Sequence, residues 1–166
     1  DFCLSRGLGD VYKRQVIERG DAAAGIMSPP TNVKASQDGL KELANGPQLG
    51  VPMVHAGVTV TRDYLKNNPN VVKAFVQGYL EGWTFAIDPA NKAAMVATIE
   101  KWTKTDAATA TAAYDFVFPA WAKDKVPAVN PAALQTILDI TDNPKAQTAK
   151  PDQFIDNSLI QAASKG

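Results

Sequence analysis

Hydrophobic and polar positions follow their clearest pattern between residues 58 and 83. Valine alternates with threonine over residues 58–61, and this period of two in β-branched residues predicts a strand with one buried face. The period then becomes helical, and one apolar stripe is formed by Val72, Phe75, Val76, Tyr79, Leu80 and Trp83. The pattern predicts a strand that leads into a long helix, whose stripe must pack against a large partner.

Three short motifs mark the beginnings of predicted helices. In each motif, a residue whose side-chain oxygen can cap a helix is followed by a proline. Proline has no backbone N–H, and this costs little in the first turn of a helix, where the N–H groups have no partner within the helix. The motifs are Asn68-Pro69, Asp88-Pro89 and Asn130-Pro131. Two more helices are predicted, one after Thr105 or Asp106 with its end at Pro119, and one after Asp156. The chain beyond Trp83 is therefore predicted to be almost wholly helical.

The first third of the chain has a different pattern. The run of small, uncharged residues after Asp21 predicts a buried strand over residues 21–27, and a turn with two prolines breaks it at residues 28–31. Strands are thus few, and the helical stripes require a sheet that this sequence does not supply. We expect an α/β fold with few strands and a helix-rich C-terminal two-thirds.

Composition narrows the function classes. The chain has 166 residues, and its 45% hydrophobic content is enough for a real core. Seventeen basic residues balance seventeen acidic ones without a run of like charge, which disfavours nucleic acid and anionic membranes as partners. Gly, Pro or Lys interrupts the apolar stretches before they reach the ~20 residues of a membrane span, so no transmembrane helix is expected.

Residues 1–15 are predicted to be foreign to the protein. They resemble the translated adapter sequence that occurs at the ends of reading frames in environmental assemblies, above all over residues 5–15. Cys3, the single cysteine, lies in this segment, so disulfides and thiol chemistry are not expected elsewhere. On this prediction the natural sequence enters near Val16, after an amino-terminal part that would hold any export signal.

Enzymatic and metal chemistry have little support in the sequence. His55, the only histidine, has no serine motif or acidic partner at a spacing that would activate it. Histidine or cysteine pairs at ligand spacing do not occur, and Asp139 with Asp142 is too sparse for a calcium loop. We therefore expect a non-enzymatic protein without a catalytic residue, a bound metal or a cofactor.

Ser28, Thr31 and Asn32 are the candidate ligand-binding residues. A buried strand that ends in a turn and enters a helix presents free backbone N–H groups, which suit an anionic or polar ligand. Pro29 and Pro30 donate nothing, so the donors would be the amides of Thr31 and Asn32 and the two hydroxyls. The alternative is that Ser28 simply caps its own helix.

Aromatic side chains are numerous in the helical part and could line a pocket. Core packing is the stronger expectation for those at helical spacing with aliphatic neighbours, among them Trp102 and Tyr114. Trp121 is the exception, because it lies beside Pro119 and outside any apolar stripe.

The order of these motifs resembles a known family. They are Arg19-Gly20-Asp21-Ala22-Ala23-Ala24, Ser28-Pro29-Pro30, Gly39 with Leu43, residues 57–65, Asn68-Pro69, Asp88-Pro89, Asn130-Pro131, Leu134-Gln135 and Asp156-Asn157-Ser158. In this order and spacing they resemble the second half of a periplasmic solute-binding protein of ABC importers, of the nitrate, sulfonate and taurine class. The resemblance covers residues 16–164.

The resemblance implies a two-lobed type II binding fold that closes about a hinge on a small molecule. Residues 16–50 would be a remnant of the second lobe, and residues 51–166 the hinge-crossing strand and the helical part of the first lobe. The turn of Ser28, Thr31 and Asn32 would face the cleft. The intact protein would be a monomer, periplasmic or exported and lipid-anchored, that passes a small, anionic solute to a permease and its ATPase.

Two other classes stay open at this point. Enzymes that make the pyrimidine precursor of thiamine have a fold similar to this binding fold. They require a histidine and a cofactor-binding lysine, which would lie upstream of this sequence. A stand-alone helical interaction domain is the third class, and it predicts a monomer that folds cooperatively.

Overall fold

The computed structural model describes residues 9–54 and 56–165, and the predictions for Cys3 and His55 lie outside these residues. The described residues form nine α-helices, three short 3-10 turns and connecting loops. The helices are α1 (Asp10–Glu18), α2 (Thr31–Gln37), α3 (Arg62–Asn67), α4 (Pro69–Ile87), α5 (Lys92–Thr103), α6 (Ala107–Trp121), α7 (Pro131–Ile140), α8 (Pro144–Gln147) and α9 (Ser158–Ala163). The 3-10 turns are Gly46–Leu49, Pro89–Asn91 and Pro151–Gln153.

One compact unit comprises the described residues up to Leu43 together with Ala86–Lys123. Within it α6 packs against both α5 and α2, and α1 packs against α2. The deepest part of its core comes from α6, where Ala110 is fully buried and Tyr114 is 5% exposed. This unit contains the candidate ligand-binding turn.

A second unit comprises Ala44–Phe85 and the described residues from Asp124 onward. In it α7 packs against α8 and against the 3-10 turn Pro151–Gln153. Its buried apolar residues are Val72, Leu80, Ala133, Leu138 and Ile160. The predicted lobes, residues 16–50 and 51–166, stay a prediction.

Asn157 holds a loop of the second unit in place. Its Oδ1 accepts from the Val129 N–H at 3.0 Å, and its Nδ2 donates to the Val129 carbonyl at 2.9 Å. The side-chain amide thus pairs with one residue's backbone as a neighbouring strand would, and it joins the start of α9 to the segment before α7.

The helix starts predicted at Pro69, after Asp106 and at Pro131 are confirmed. Asp88 opens the 3-10 turn Pro89–Asn91 that precedes α5, and α9 begins at Ser158 with Asn157 rather than Asp156 at its N-cap. α4 begins at Pro69, and each of the three capping side chains below accepts a hydrogen bond from a backbone N–H two or three residues further along, at 2.9 Å. These side chains belong to Asp88, Asp106 and Asn130. Short polar side chains that satisfy unpaired amides are local devices, and for this reason the sequence alone locates them well.

The predicted strands are wrong. Over the described residues, 58–61 and 21–27 form no ladder, and Ala24 alone makes an isolated bridge. Val58 and Val60 remain 52% and 46% exposed. A strand needs a neighbour to pair its backbone groups, and an alternating pattern does not supply one. Over the described residues the α/β expectation is therefore replaced by a helix-rich architecture, and the expected helix-rich C-terminal two-thirds is confirmed.

Two expectations about individual helices also need correction. Pro119 does not end α6, which continues to Trp121. Proline lies in the last turn of this helix, so its missing N–H removes only one hydrogen bond near the end. The Ala122 N–H still donates to the Phe118 carbonyl at 2.8 Å. Trp102 is 73% exposed rather than buried, and the Nζ of Lys101 lies 5.5 Å from its ring centroid.

The apolar stripe of α4 is only partly covered by the described residues. Val72 and Leu80 are buried, but Phe75 is 57% exposed and Tyr79 is 43% exposed. No helix in the described ranges combines the length and the apolar character needed to cross a membrane. The predicted long helix is thus confirmed, while the large partner expected for its stripe is not among these residues.

Lys104 follows α5 in a conformation that favours glycine, with φ at 58° and ψ at 35°. An L side chain in this left-handed region is strained by about 1 kcal/mol, and glycine is not. We expect Lys104→Gly to raise the free energy of unfolding by about 1 kcal/mol in urea titrations. Lys104→Ala is the matched control, because it removes the charge but keeps the strain. A gain of equal size in both variants would contradict this explanation.

Candidate functional site

The three predicted ligand-binding residues lie on one turn at the beginning of α2. Ser28, Thr31 and Asn32 are all half-buried. The cis peptide between Pro29 and Pro30 forms the turn, and the Asn32 N–H donates to the Ser28 carbonyl at 3.2 Å. The sequence therefore brings the three residues together as expected, although no strand precedes them.

The donors of this turn are not all free. The Asn32 amide is used by the Ser28 carbonyl, whereas the Thr31 amide has no partner among the described residues. The Oδ1 atom of Asn32 is buried and has no hydrogen-bond partner in the described part of the chain. A ligand at this turn would thus meet the Thr31 amide, the hydroxyls of Ser28 and Thr31, and the side-chain amide of Asn32.

The backbone amide of Ser28 is occupied by a carboxylate. Asp10, at the start of α1, accepts from the Ser28 N–H through Oδ2 at 2.7 Å, and Lys13 donates to its Oδ1 at 3.0 Å. Burial of the Asp10 carboxyl acts to raise its pKa, but the Ser28 amide and Lys13 outweigh burial and hold the pKa below its usual value. The turn therefore binds an anionic group, which in this chain is internal.

The alternative role of Ser28 as a helix cap is not what the structure shows. Pro30 occupies the N-cap position of α2, and no side chain caps that end of the helix within the described residues. Ser28 instead contributes to the low pKa of Asp10 through its backbone and its side chain. Its polar groups are thus directed to an acidic partner.

Packing of α1 holds the turn from one side. Val16 is buried, and a Cβ built on Gly25 would lie 3.1 Å from Ile17 Cδ1, closer than ordinary contact. Gly25 therefore allows the segment that leads to Ser28 to run directly against α1. A larger residue at this position would require the Ile17 side chain to shift by a few tenths of an ångström.

A charge network ties α1 to the C-terminal end of α2. Arg14 donates to Asp38 at 2.6 Å and lies 3.3 Å from Glu18, and Lys34 lies 3.0 Å from Asp38. These cations are all paired with carboxylates. An anionic ligand would therefore be held by uncharged donors of the turn rather than by a free positive side chain.

Sequence reasoning missed two contacts that position this unit. The Asp10 contact joins residues far apart in the chain and leaves no local pattern. Thr109 on α6 is fully buried, and its Oγ1 lies 2.9 Å from Asp106 Oδ2 and 3.2 Å from Gln37 Oε1 at the end of α2. The Thr109–Asp106 bond could have been predicted, because an acidic residue three positions before a threonine is a typical capping arrangement. No local pattern indicates the Thr109–Gln37 bond.

Other sequence candidates do not join this turn into a larger site. Within residues 9–54 and 56–165, no group of three or more His, Cys, Asp or Glu residues is arranged to hold a metal ion. Trp121 is 45% exposed and makes an edge contact with Phe118, with ring centroids 5.4 Å apart.

Comparison with known proteins adds one match. The model of the family described as NMT1/THI5 like matches residues 9–93, about half of the chain. The matched range includes Ser28, Thr31 and Asn32 and the first two-thirds of the resembling motifs. No curated protein and no solved structure matches the chain.

Proposed function

The chain belongs to the NMT1/THI5-like family, and we propose that it is part of the solute-binding subunit of an ABC importer. In this proposal the intact subunit captures a small anionic solute, such as a sulfonate, taurine or nitrate. It acts outside the cytoplasm, in the periplasm or on a lipid anchor, and delivers the solute to a membrane permease and its ATPase. It performs no chemical step on the solute.

The family match is the observation that carries this proposal. The family is tied to the periplasmic binding fold of nitrate, sulfonate and taurine binding proteins, and membership supports a solute-binding or thiamine-precursor protein. Ligand contacts that are shared by two lobes favour the closed form, because the ligand binds that form more tightly. Closure would thus signal to the permease that the solute is bound.

Ser28, Thr31 and Asn32 are the proposed ligand contacts of this chain. The Thr31 hydroxyl and the Thr31 amide, which has no partner among the described residues, supply donors. The Ser28 amide already binds the Asp10 carboxylate at 2.7 Å with help from the Ser28 hydroxyl, which supports the choice of an anion. Three residues on one turn offer few bonds, so we expect weak binding, with a dissociation constant on the order of millimolar.

Nuclear magnetic resonance of the backbone amides tests the proposal. We expect ethanesulfonate, taurine or nitrate to shift the Ser28, Thr31 and Asn32 amide signals in a saturable way. Thr31→Val should weaken this binding by roughly tenfold, because it removes one hydroxyl hydrogen bond. Ser28→Ala should weaken it less, because the Ser28 hydroxyl also hydrogen-bonds Asp10. Ser36→Ala is the matched control, since this serine lies exposed on the same helix.

A thiamine-precursor role is the second candidate, because the same family includes such proteins. An aminopyrimidine that shifts the same amides while the three anions do not would favour it. If the affinity measured from these shifts is the same in the Thr31 and Ser28 variants as in the unmodified chain, the assignment of the site is contradicted. Submicromolar binding of an anion would contradict the expected weak affinity.

A further inference from the structure

Asn45 lies in the segment where the chain leaves one compact unit after Leu43 and enters the other at Ala44. It is the only one of the nine asparagines of the chain that precedes a glycine. Asn45 is half-buried and Gly46 is exposed, and a Cβ built on Gly46 would meet no atom beyond its chain neighbours within 4 Å. The Gly46 N–H donates to no other described residue. The backbone nitrogen that follows Asn45 is therefore accessible and unhindered.

We propose that Asn45 is a site of spontaneous deamidation. The Gly46 nitrogen attacks the Asn45 Cγ, loses its proton and closes a five-membered imide ring, while the Cγ–Nδ2 bond breaks and ammonia leaves. Water then opens the ring at either carbonyl and leaves aspartate or isoaspartate, so neither an oxidant nor a reductant is needed. A Cβ at position 46 would crowd the attacking nitrogen, and glycine has none.

The fold protects the one aspartate that precedes a glycine. Asp38-Gly39 could close the same ring with loss of water, but the Asp38 carboxylate lies 2.6 Å from Arg14 and 3.0 Å from Lys34. An ionised carboxylate that is paired with two cations is a poor electrophile. The Gly39 N–H is also engaged, because it donates to the Ser36 carbonyl at 3.1 Å. The structure thus distinguishes Asn45 from a similar pair seven residues earlier.

Other asparagines provide internal controls. Three of them precede proline, whose nitrogen has no proton to lose. These are Asn68, Asn130 and Asn143. Asn157 precedes Ser158, but both polar atoms of its side chain are bonded to Val129, and the Ser158 N–H donates to Asp156 at 2.9 Å. Its protection therefore depends on the fold and should be lost on unfolding.

Isoaspartate at position 45 would change the turn that follows. The Asn45 carbonyl accepts from the Gln48 N–H at 3.0 Å, at the beginning of the 3-10 turn Gly46–Leu49. In isoaspartate the main chain runs through Cβ and Cγ, and this carbonyl becomes part of a free carboxylate. The Gln48 amide signal should therefore shift in the isoaspartate form and keep its position in Asn45→Asp.

Incubation of the full chain in mildly alkaline buffer, folded and in parallel unfolded in guanidinium chloride, tests the proposal. Peptide mapping by mass spectrometry measures conversion, because exchange of an NH2 group for an OH group adds about one dalton. We expect Asn45 to convert at the same rate in both samples, and Asn157 to convert at least about tenfold more slowly in the folded one. Isomerisation at Asp38, followed by enzymatic methylation of isoaspartate, should be slowed by the fold in the same way.

Gly46→Ala tests whether the Gly46 nitrogen is the attacking atom. The φ angle of Gly46 is not positive and the space for a Cβ is open, so this variant keeps the fold. We expect loss of ammonia to be about tenfold slower, which corresponds to a barrier about 1.4 kcal/mol higher. Asn45→Asp is the reference for one product. On an anion-exchange column it should coelute with the aspartate form, because a chain of formal net charge zero gains one negative charge in both.

Three results would overturn the proposal. Conversion of Asn45 that is about tenfold or more slower in the folded chain than in guanidinium chloride would show that the fold protects it. Equal rates at Asn45 and Asn157 in the folded chain would show that the structure does not select the site. Equal rates in Gly46→Ala and the unmodified chain would exclude attack by the Gly46 nitrogen.

Discussion

Replacement of Tyr114 by alanine should destabilise the unit that contains the candidate site by about 3–5 kcal/mol. Tyr114 is 5% exposed on α6, and its ring stacks on Phe118 with centroids 4.6 Å apart. The Nζ of Lys92 on α5 lies 5.6 Å from the same ring. Truncation would leave a cavity between α5 and α6 and also remove the stacking, and a single small unit has few kcal/mol to lose.

Urea unfolding and amide hydrogen exchange measure this effect. Exchange should accelerate throughout α5 and α6, because these helices share the lost packing. Tyr114→Phe is the conservative control, since it removes only the long hydrogen bond of 3.4 Å to the Ala86 carbonyl and should cost less than about 1 kcal/mol. Tyr79→Ala, at a position 43% exposed on α4, should also have a small effect. Equal losses in Tyr114→Ala and Tyr79→Ala would contradict the packing described for α6.

Local features of this fold were predictable from the sequence, and non-local ones were not. Helix starts at Pro69 and after Asp106 depend on a few consecutive residues, so their chemistry is visible in the sequence. Residues 58–61 have the composition of a strand, but a strand depends on a partner elsewhere, and none lies in the described residues. Trp102 shows the same limit, because helical spacing defines a face without showing what covers it.

The candidate site, too, was predictable from the sequence only in its local part. Ser28, Thr31 and Asn32 are close in sequence, and the two prolines between them made the turn predictable. The bond from the Ser28 amide to Asp10 and the bond of Thr109 to Gln37 join residues 18 and 72 positions apart. Such pairs arise from the packing of α1 and α6 around α2, which no short pattern encodes.

Asn157 provides the second large expected effect, in the other unit. Asn157→Ala should lower the free energy of unfolding by about 2 kcal/mol, because it leaves both backbone groups of Val129 without their partner. In this variant, hydrogen exchange should accelerate more at the Val129 amide than at the amides of α7. Asn143→Ala is the matched control, since it removes a single exposed capping bond of 3.0 Å to Lys145 and should cost about 1 kcal/mol or less.

Asn157→Asp separates the two bonds of this contact. Aspartate can still accept from the Val129 N–H, but it places a carboxylate oxygen where Nδ2 now lies 2.9 Å from the Val129 carbonyl. Repulsion there should raise the pKa of the new carboxyl in the folded state above the unfolded value of about 3.9. The protonated form, which can donate to the carbonyl, then stabilises the fold below that value, and this gain is lost as pH rises through the folded pKa. Relative to the unmodified chain, Asn157→Asp should therefore be least stable at neutral pH and recover towards about pH 4 in urea titrations. A deficit that does not change with pH would show that the carbonyl of Val129 does not depend on the Asn157 amide.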